Sequence, residues 1–178
     1  MTAAGVISRQ LDEIAAIVMS SDDATYTARP IAKVSGSIGE HVRHCLDHIS
    51  APVAASASKL LSYDRRVRGT AVERDPAGAL RLIMRVKSAV DYWGERSMDE
   101  PICVASMLTA SGECVTGWST LGRELAFVNS HTIHHQALIA VLLRWRASRF
   151  PIGWDSRHRL PGKKVERADV HGLDHSSP

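Results

Sequence analysis

Residues 37–48 have the sequence Ser-Ile-Gly-Glu-His-Val-Arg-His-Cys-Leu-Asp-His, and this stretch fixes the start of a helix. Ser37 and Glu40 form the Ser-x-x-Glu pattern of a capping box, in which each side chain accepts a hydrogen bond from the other residue's backbone N–H. A helix is therefore predicted to begin at this point, and Pro52 is placed to kink or end it. The predicted helix carries three histidines, His41, His44 and His48.

A second group of histidines lies in a long helix predicted over about residues 119–148. Apolar residues mark one side of this helix: Leu121, Leu125, Val128, Leu138, Leu142 and Trp145. At about 100° per residue, His131 and His135 lie within about 40° of each other and share that side. Because buried imidazoles are costly unless they are paired, these two side chains are predicted to bind one metal ion with a third ligand from a neighbouring helix.

Each histidine pattern has a simpler interpretation when it is considered alone. A single histidine on an apolar face is usually a hydrogen-bonded core residue, and a single His-x-x-x-His occurs by chance in many helices. Two clusters in one chain favour a metal site over a hydrogen-bonded polar core or surface imidazoles. Thr132 occupies the position at which a His-Glu-x-x-His metalloprotease places its general base, so the pattern lacks the base of that class.

Three further segments complete the predicted architecture. The apolar spacing predicts a first helix over about residues 4–19, and Asp75 followed by Pro76 predicts another helix that ends near Gly94. Between residues 101 and 118, two short apolar runs flank a Thr-Ala-Ser-Gly turn and predict a hairpin or an irregular lid. Polar loops are predicted from the first helix to about Gly36 and over residues 63–74, whereas residues 151–178 are predicted to form a polar, disordered tail.

Composition limits the classes of protein that the chain can belong to. A length of 178 residues suits one domain, assigned to residues 1–150, followed by the tail. No stretch approaches the roughly 18 apolar residues of a membrane span, and Asp12 and Glu13 argue against a signal peptide. Three cysteines without a Cys-x-x-Cys pair predict a cytoplasmic protein. The net charge of +3 comes from dispersed basic residues, so neither nucleic-acid nor membrane binding is expected.

Both histidine segments resemble motifs of the DinB-like (YfiT-like) family of metalloproteins. SIGEHVRHCLDH resembles the family's second-helix metal motif, and RELAFVNSHTIHHQALI resembles its second histidine motif. The resemblance spans about residues 34–146 and implies an all-α four-helix bundle, here with a short insert before the last helix. It also implies a divalent metal ion bound by His44, His131 and His135, with His134 a neighbour of the site.

Several assignments around the implied site stay open. By helical-wheel geometry His41 and His48 lie nearer than His44 to the apolar arc, so either residue is a candidate to replace or join it. Glu124 is a candidate to hold a histidine N–H or to pair with an arginine, the latter being favoured. The segment from Tyr63 to Arg68 resembles a motif of one DinB-like subgroup. Its arginines are expected to be solvated, and anchoring of an anionic substrate is the alternative.

The resemblance implies either metal-dependent hydrolysis or transfer of a low-molecular-weight thiol. A three-histidine metal with open positions lowers the pKa of bound water or thiol toward neutrality, which suits both reactions. The alternative is a non-catalytic, metal-stabilised binding or stress-response protein. Imidazole ligands are compatible with Zn, Ni, Mn or Fe, so the sequence fixes neither the metal nor the substrate. It assigns no catalytic residue, and it leaves a homodimer open.

Overall fold

The structure is a computed structural model that describes residues 2–29, 35–64, 67, 69–95 and 98–149. Over these residues the chain is mostly helical, with five α-helices and a small three-stranded sheet. None of the helices in the described ranges has the length and apolar character that a membrane span requires. The predicted tail, residues 151–178, lies outside the described residues.

The first helix, α1, spans Ala3–Met19, which confirms the helix predicted over residues 4–19. It begins at Thr2, whose hydroxyl accepts a hydrogen bond from the backbone of Gly5. A short helix, α2 (Asp23–Thr27), follows in a region predicted to be loop. It begins because Asp22 caps it, with the carboxylate accepting from the backbone N–H of Thr25 at 2.6 Å.

The third helix, α3, spans Ile38–Ser58 and starts with the predicted capping box. Ser37 N–H donates to the Glu40 carboxylate at 2.7 Å, and Glu40 N–H donates to Ser37 Oγ at 3.2 Å. Pro52 does not end this helix, which continues for another turn and a half. The Pro52 ring is buried, and the helix continues past the backbone donor that proline lacks.

The fourth helix, α4, spans Pro76–Asp91 and begins with proline at its first position, as predicted. It is extended by a short 3₁₀ helix, Tyr92–Glu95, whose Trp93 is buried. The predicted loop before α4 contains another 3₁₀ turn, Ala71–Glu73. Of the segment between Tyr63 and Arg68, the arginines Arg66 and Arg68 lie outside the described residues.

The predicted hairpin is present between α4 and the last helix. Strands β2 (Pro101–Met107) and β3 (Cys114–Thr120) pair antiparallel, with Ile102 opposite Ser119. Gly112 forms the turn with a φ of 94°, a conformation that glycine adopts without strain. A two-residue strand, β1 (Leu60–Leu61), pairs parallel to β2 and was not predicted.

The last helix, α5, spans Leu121–Arg149, close to the predicted range. It packs against α3 and α1, while α4 packs against α1 and α3. Apolar side chains from all four long helices form one continuous core, among them Leu11, Ile14, Val42, Leu46, Ile83, Leu125, Val128 and Leu142. The contact between α3 and α5 is the one that brings the two groups of histidines together.

Candidate metal centre

Helix α3 presents its three histidines toward the interior of the protein. His41 and His48 are buried, with 7% and 5% of their surface exposed, whereas His44 is partly exposed. The apolar side of this helix, which includes Val42 and Cys45, is fully buried. The helical-wheel expectation that His41 and His48 lie nearer the apolar arc than His44 is therefore confirmed.

Helix α5 supplies the remaining imidazoles. His131 and His135, one helical turn apart, are partly buried, and Thr132 between them is fully buried. His134 is exposed on the outer side of the helix, although its ring contacts the ring of His135. We call His41, His44, His48, His131 and His135 the histidine cluster.

Two nitrogen–nitrogen contacts join α3 to α5 within the histidine cluster. His44 Nε2 lies 2.8 Å from His131 Nε2, and His41 Nδ1 lies 3.0 Å from His135 Nδ1. Ring centroids within the cluster are 4.0–5.2 Å apart wherever rings are in contact. Five imidazoles thus occupy one continuous region of the interface between the two helices.

His44, His48 and His131 can each direct one ring nitrogen toward a common point. One nitrogen from each residue lies within 4.8 Å of the others. His48 Nδ1 is 3.1 Å from the backbone carbonyl of His44, which can only accept, so Nδ1 carries the proton. The lone pair of His48 is consequently on Nε2, the nitrogen that a metal-binding histidine of this tautomer uses.

The electrostatics of the cluster favour neutral imidazoles. Burial, and after it repulsion from the other histidines, beginning with His131, together lower the pKa of His135 to about 3. Burial also lowers the pKa of His41, although the nearby Glu40 carboxylate opposes that shift. Both side chains are therefore neutral at pH 7, which is the state that binds metal ions.

A second layer of side chains supports the cluster on its Tyr63 side. The Tyr63 ring stacks on the His48 ring at 5.2 Å with an angle of 9°, and its hydroxyl donates to Glu124 at 2.9 Å. Glu124 is 1% exposed and also accepts from Ser119 and Arg123. The prediction that this carboxylate pairs with an arginine is confirmed, and its tyrosine partner was not foreseen.

A surface cleft of about 300 Å³ opens beside the cluster. Ser35, Gly36, Glu40, His41, Arg43, His44 and His135 line it. Arg43, which is itself buried, donates to Asp47 at 2.7 Å and to Glu73 at 2.9 Å, so both carboxylates compensate its charge. The cleft gives a small molecule or solvent access to the histidines.

The structure brings all three predicted ligands, His44, His131 and His135, into the histidine cluster, with their rings in mutual contact. It adds His41 and His48, the residues that the sequence left open. Cys45 is fully buried, and burial raises the pKa of its thiol to about 12, so it is a core residue. The sequence did not predict that the Tyr63 ring contacts His48 or that the Phe127 ring contacts His131, because these contacts depend on tertiary packing.

The chemistry of these donors fits a divalent metal ion. Two imidazole nitrogens bound to one ion at about 2.0–2.1 Å are about 3.3 Å apart in a tetrahedral site and about 2.9 Å apart at adjacent positions of an octahedral site. Both short nitrogen–nitrogen contacts of the cluster lie near the shorter of these separations. Neutral imidazoles at that spacing, contributed by two helices, form a suitable set of ligands for a borderline metal such as Zn, Ni, Mn or Fe.

Comparison with known proteins does not identify the function of this site. No family model matches the chain, and no solved structure matches it. Over 84 residues the chain is 30% identical to FK506-binding protein 5 of Rhizopus delemar, a match that covers 47% of this chain and 22% of that protein. The chain therefore spans about a fifth of the length of this relative, and the similarity assigns it to no family.

Proposed function

We propose that the protein binds a divalent metal ion at the histidine cluster and uses it in catalysis. The observation that carries the proposal is the separation of 2.8 Å between His44 Nε2 and His131 Nε2, which belong to different helices. A purely structural core would fill this interface with apolar side chains at a lower desolvation cost. We further infer that α1, α3, α4 and α5 form a four-helix bundle of the DinB-like type, whose motifs the two histidine segments resemble.

His44 and His131 form the central ligand pair of the proposed site. Geometry favours His48 as the third ligand, because one of its nitrogens lies within 4.8 Å of nitrogens of His44 and His131 and its Nδ1 proton is held by the His44 carbonyl. The family resemblance favours His135 instead, whose ring contacts those of His44 and His131. Removing each imidazole in turn distinguishes the two choices.

A divalent metal ion at this position would lower the pKa of a water molecule or a thiol toward neutrality. The chain's own residues would orient and enclose the reacting group. Tyr63 and Phe127 cover one side of the histidines, while the cleft lined by His41, His44 and His135 gives a small substrate access from another. This access supports an enzyme, a hydrolase or a small-thiol transferase, over a non-catalytic metal-stabilised protein, whose site would be closed.

Metal analysis tests the binding part of the proposal. The purified, chelator-treated protein is reloaded separately with Zn, Ni, Mn and Fe(II), and bound metal is measured by mass spectrometry. We expect His44→Ala and His131→Ala each to bind at least one equivalent less than the wild type. His134→Ala is the matched control, because this imidazole is exposed on the same helix, and it should bind as much as the wild type. A wild-type protein that binds no stoichiometric metal would refute the proposal.

The catalytic part needs a separate screen. Metal-loaded protein is tested for conjugation of small thiols to electrophiles and for hydrolysis of esters and amides. We expect one of these activities to disappear with a chelator and to return with the native metal. Equal rates for the wild type and the His131→Ala variant across all substrates would support the non-catalytic alternative.

A further inference from the structure

The histidine cluster holds more imidazoles than one tetrahedral ion uses. Structural and catalytic zinc sites take at most four protein ligands, and catalytic sites usually take three. The cluster has five imidazoles, and its two short nitrogen–nitrogen contacts share no residue: His44 pairs with His131, and His41 pairs with His135. The ligands are therefore divided into two pairs, one helical turn apart along both helices.

We propose that His41 and His135 form a second divalent-cation site next to the site of His44, His48 and His131. The inference rests on the proposed function, because it assumes that the neighbouring group binds metal. His41 Nδ1 and His135 Nδ1 are 3.0 Å apart, close to the separation of two adjacent ligands on one ion. The cleft of about 300 Å³ is lined by both residues and gives this ion room for solvent or substrate ligands.

The arrangement of the rings also favours two neighbouring sites over unrelated histidines. The His135 ring lies 4.4 Å from the His44 ring and 4.7 Å from the His131 ring, measured between centroids. Ions in two-metal centres are about 3.5–4 Å apart, so contacts between ligands of the two ions are expected at such distances. His41 is buried beside Gly36, at the start of α3, where a side chain without a function would more economically be apolar.

A hydrogen bond between two neutral imidazoles would produce the same 3.0 Å contact, so the number of bound ions is the decisive measurement. Metal-free protein is titrated with Mn(II), and bound metal is counted by mass spectrometry after removal of free ions. We expect two ions per chain in the wild type and one in the His41→Asn variant, which keeps a polar side chain. The control variant His134→Asn should bind two. Electron paramagnetic resonance should show coupled Mn(II) ions in the wild type and an uncoupled ion in His41→Asn.

Each outcome separates this inference from the proposed function. One ion in both the wild type and His41→Asn would overturn the second site and leave the first intact. One ion in the wild type and none in His41→Asn would indicate a single site that includes His41, which also overturns the inference. No bound ion in the wild type would refute both proposals. If His41→Asn does not fold, the number of ions bound by the wild type and their spin coupling still decide whether a second site exists.

Discussion

Replacing Gly39 with alanine tests how tightly the start of α3 is held against the rest of the protein. Gly39 lies in the first turn of this helix, between the two residues of the capping box, Ser37 and Glu40, and before the histidines. A Cβ atom at this position would lie 2.2 Å from the carbonyl oxygen of Glu73 and 2.6 Å from the Tyr26 ring. Tyr26 is itself fully buried and donates to the Val72 carbonyl at 2.9 Å, so it has little room to move.

Two effects of this substitution have opposite signs. Alanine has a higher helix propensity than glycine, worth up to about 1 kcal/mol of stabilisation in a helix interior and less in the first turn. The clash with a backbone carbonyl forces α3 away from the Ala71–Glu73 turn, and overpacking of this kind costs about 1–3 kcal/mol or more. We expect sterics to win, with a net loss of about 1–3 kcal/mol and a melting temperature lower by about 3–10 °C.

Chemical denaturation followed by circular dichroism measures the difference. Gly78→Ala is the matched control, since Gly78 also lies in the first turn of a helix, α4. Its added Cβ would meet the carboxylate of Asp75 at 2.6 Å, but that side chain is 44% exposed and can rotate away. Gly78→Ala should therefore match or exceed the wild-type stability. A Gly39→Ala protein as stable as Gly78→Ala would refute the reasoning.

Three further outcomes follow from groups in and around the site. Because burial raises the pKa of the Cys45 thiol to about 12, this thiol should resist alkylation at pH 8 in the native protein and react only in denaturant. Mass spectrometry measures the labelling, and rapid labelling of the native protein would contradict the assignment of Cys45 to the core. In metal-free protein, the pKa of His135 is lowered to about 3, below its unfolded value of about 6.5. Between these two pKa values the unfolded chain binds more protons than the folded chain. The contribution of His135 to the free energy of unfolding should therefore be complete above about pH 6.5 and be lost as the pH decreases toward 3. Urea titrations at several pH values should show a shallower fall for His135→Asn. Tyr63→Phe leaves the buried Glu124 carboxylate without one donor and should lower the free energy of unfolding by about 1–3 kcal/mol, measured by thermal denaturation. The control Tyr92→Phe, at an 88% exposed position, should change stability little. Equal effects of the two substitutions would count against a stabilising role of the Tyr63 hydroxyl.

The elements that the sequence predicted are those with local signals. The capping box of Ser37 and Glu40 marks the start of α3, and the proline at position 76 marks the start of α4. The missed elements depend on distant partners. Leu60 and Leu61 become a strand because they pair with Cys103 and Val104, some forty residues later, and no local pattern of two residues specifies such pairing.

In the candidate site, too, features with a local sequence signal were predicted and features that depend on tertiary packing were not. The apolar spacing of α5 was enough to predict that His131 and His135 share its inner side. His44 was predicted as their partner only from the family resemblance, because the helical wheel placed His41 and His48 nearer the apolar arc of α3. The pairing within the cluster was not predictable. Which nitrogen faces which depends on how far α3 and α5 are shifted along each other, and a shift of one helical turn, about 5 Å, would exchange the partners.

The cost of the cluster is itself an argument for function. Histidines at the α3–α5 interface occupy positions that apolar side chains could fill, and burial opposes the charged state of His41 and His135. Elsewhere on these two helices the buried positions are apolar, with Val42, Leu125 and Val128 fully or almost fully buried. Sequences depart from such consistency mainly at functional positions, where stability is given up for binding or chemistry. A bound ion would reverse the balance, because neutral imidazoles that are costly to bury alone become ligands whose binding energy stabilises the fold.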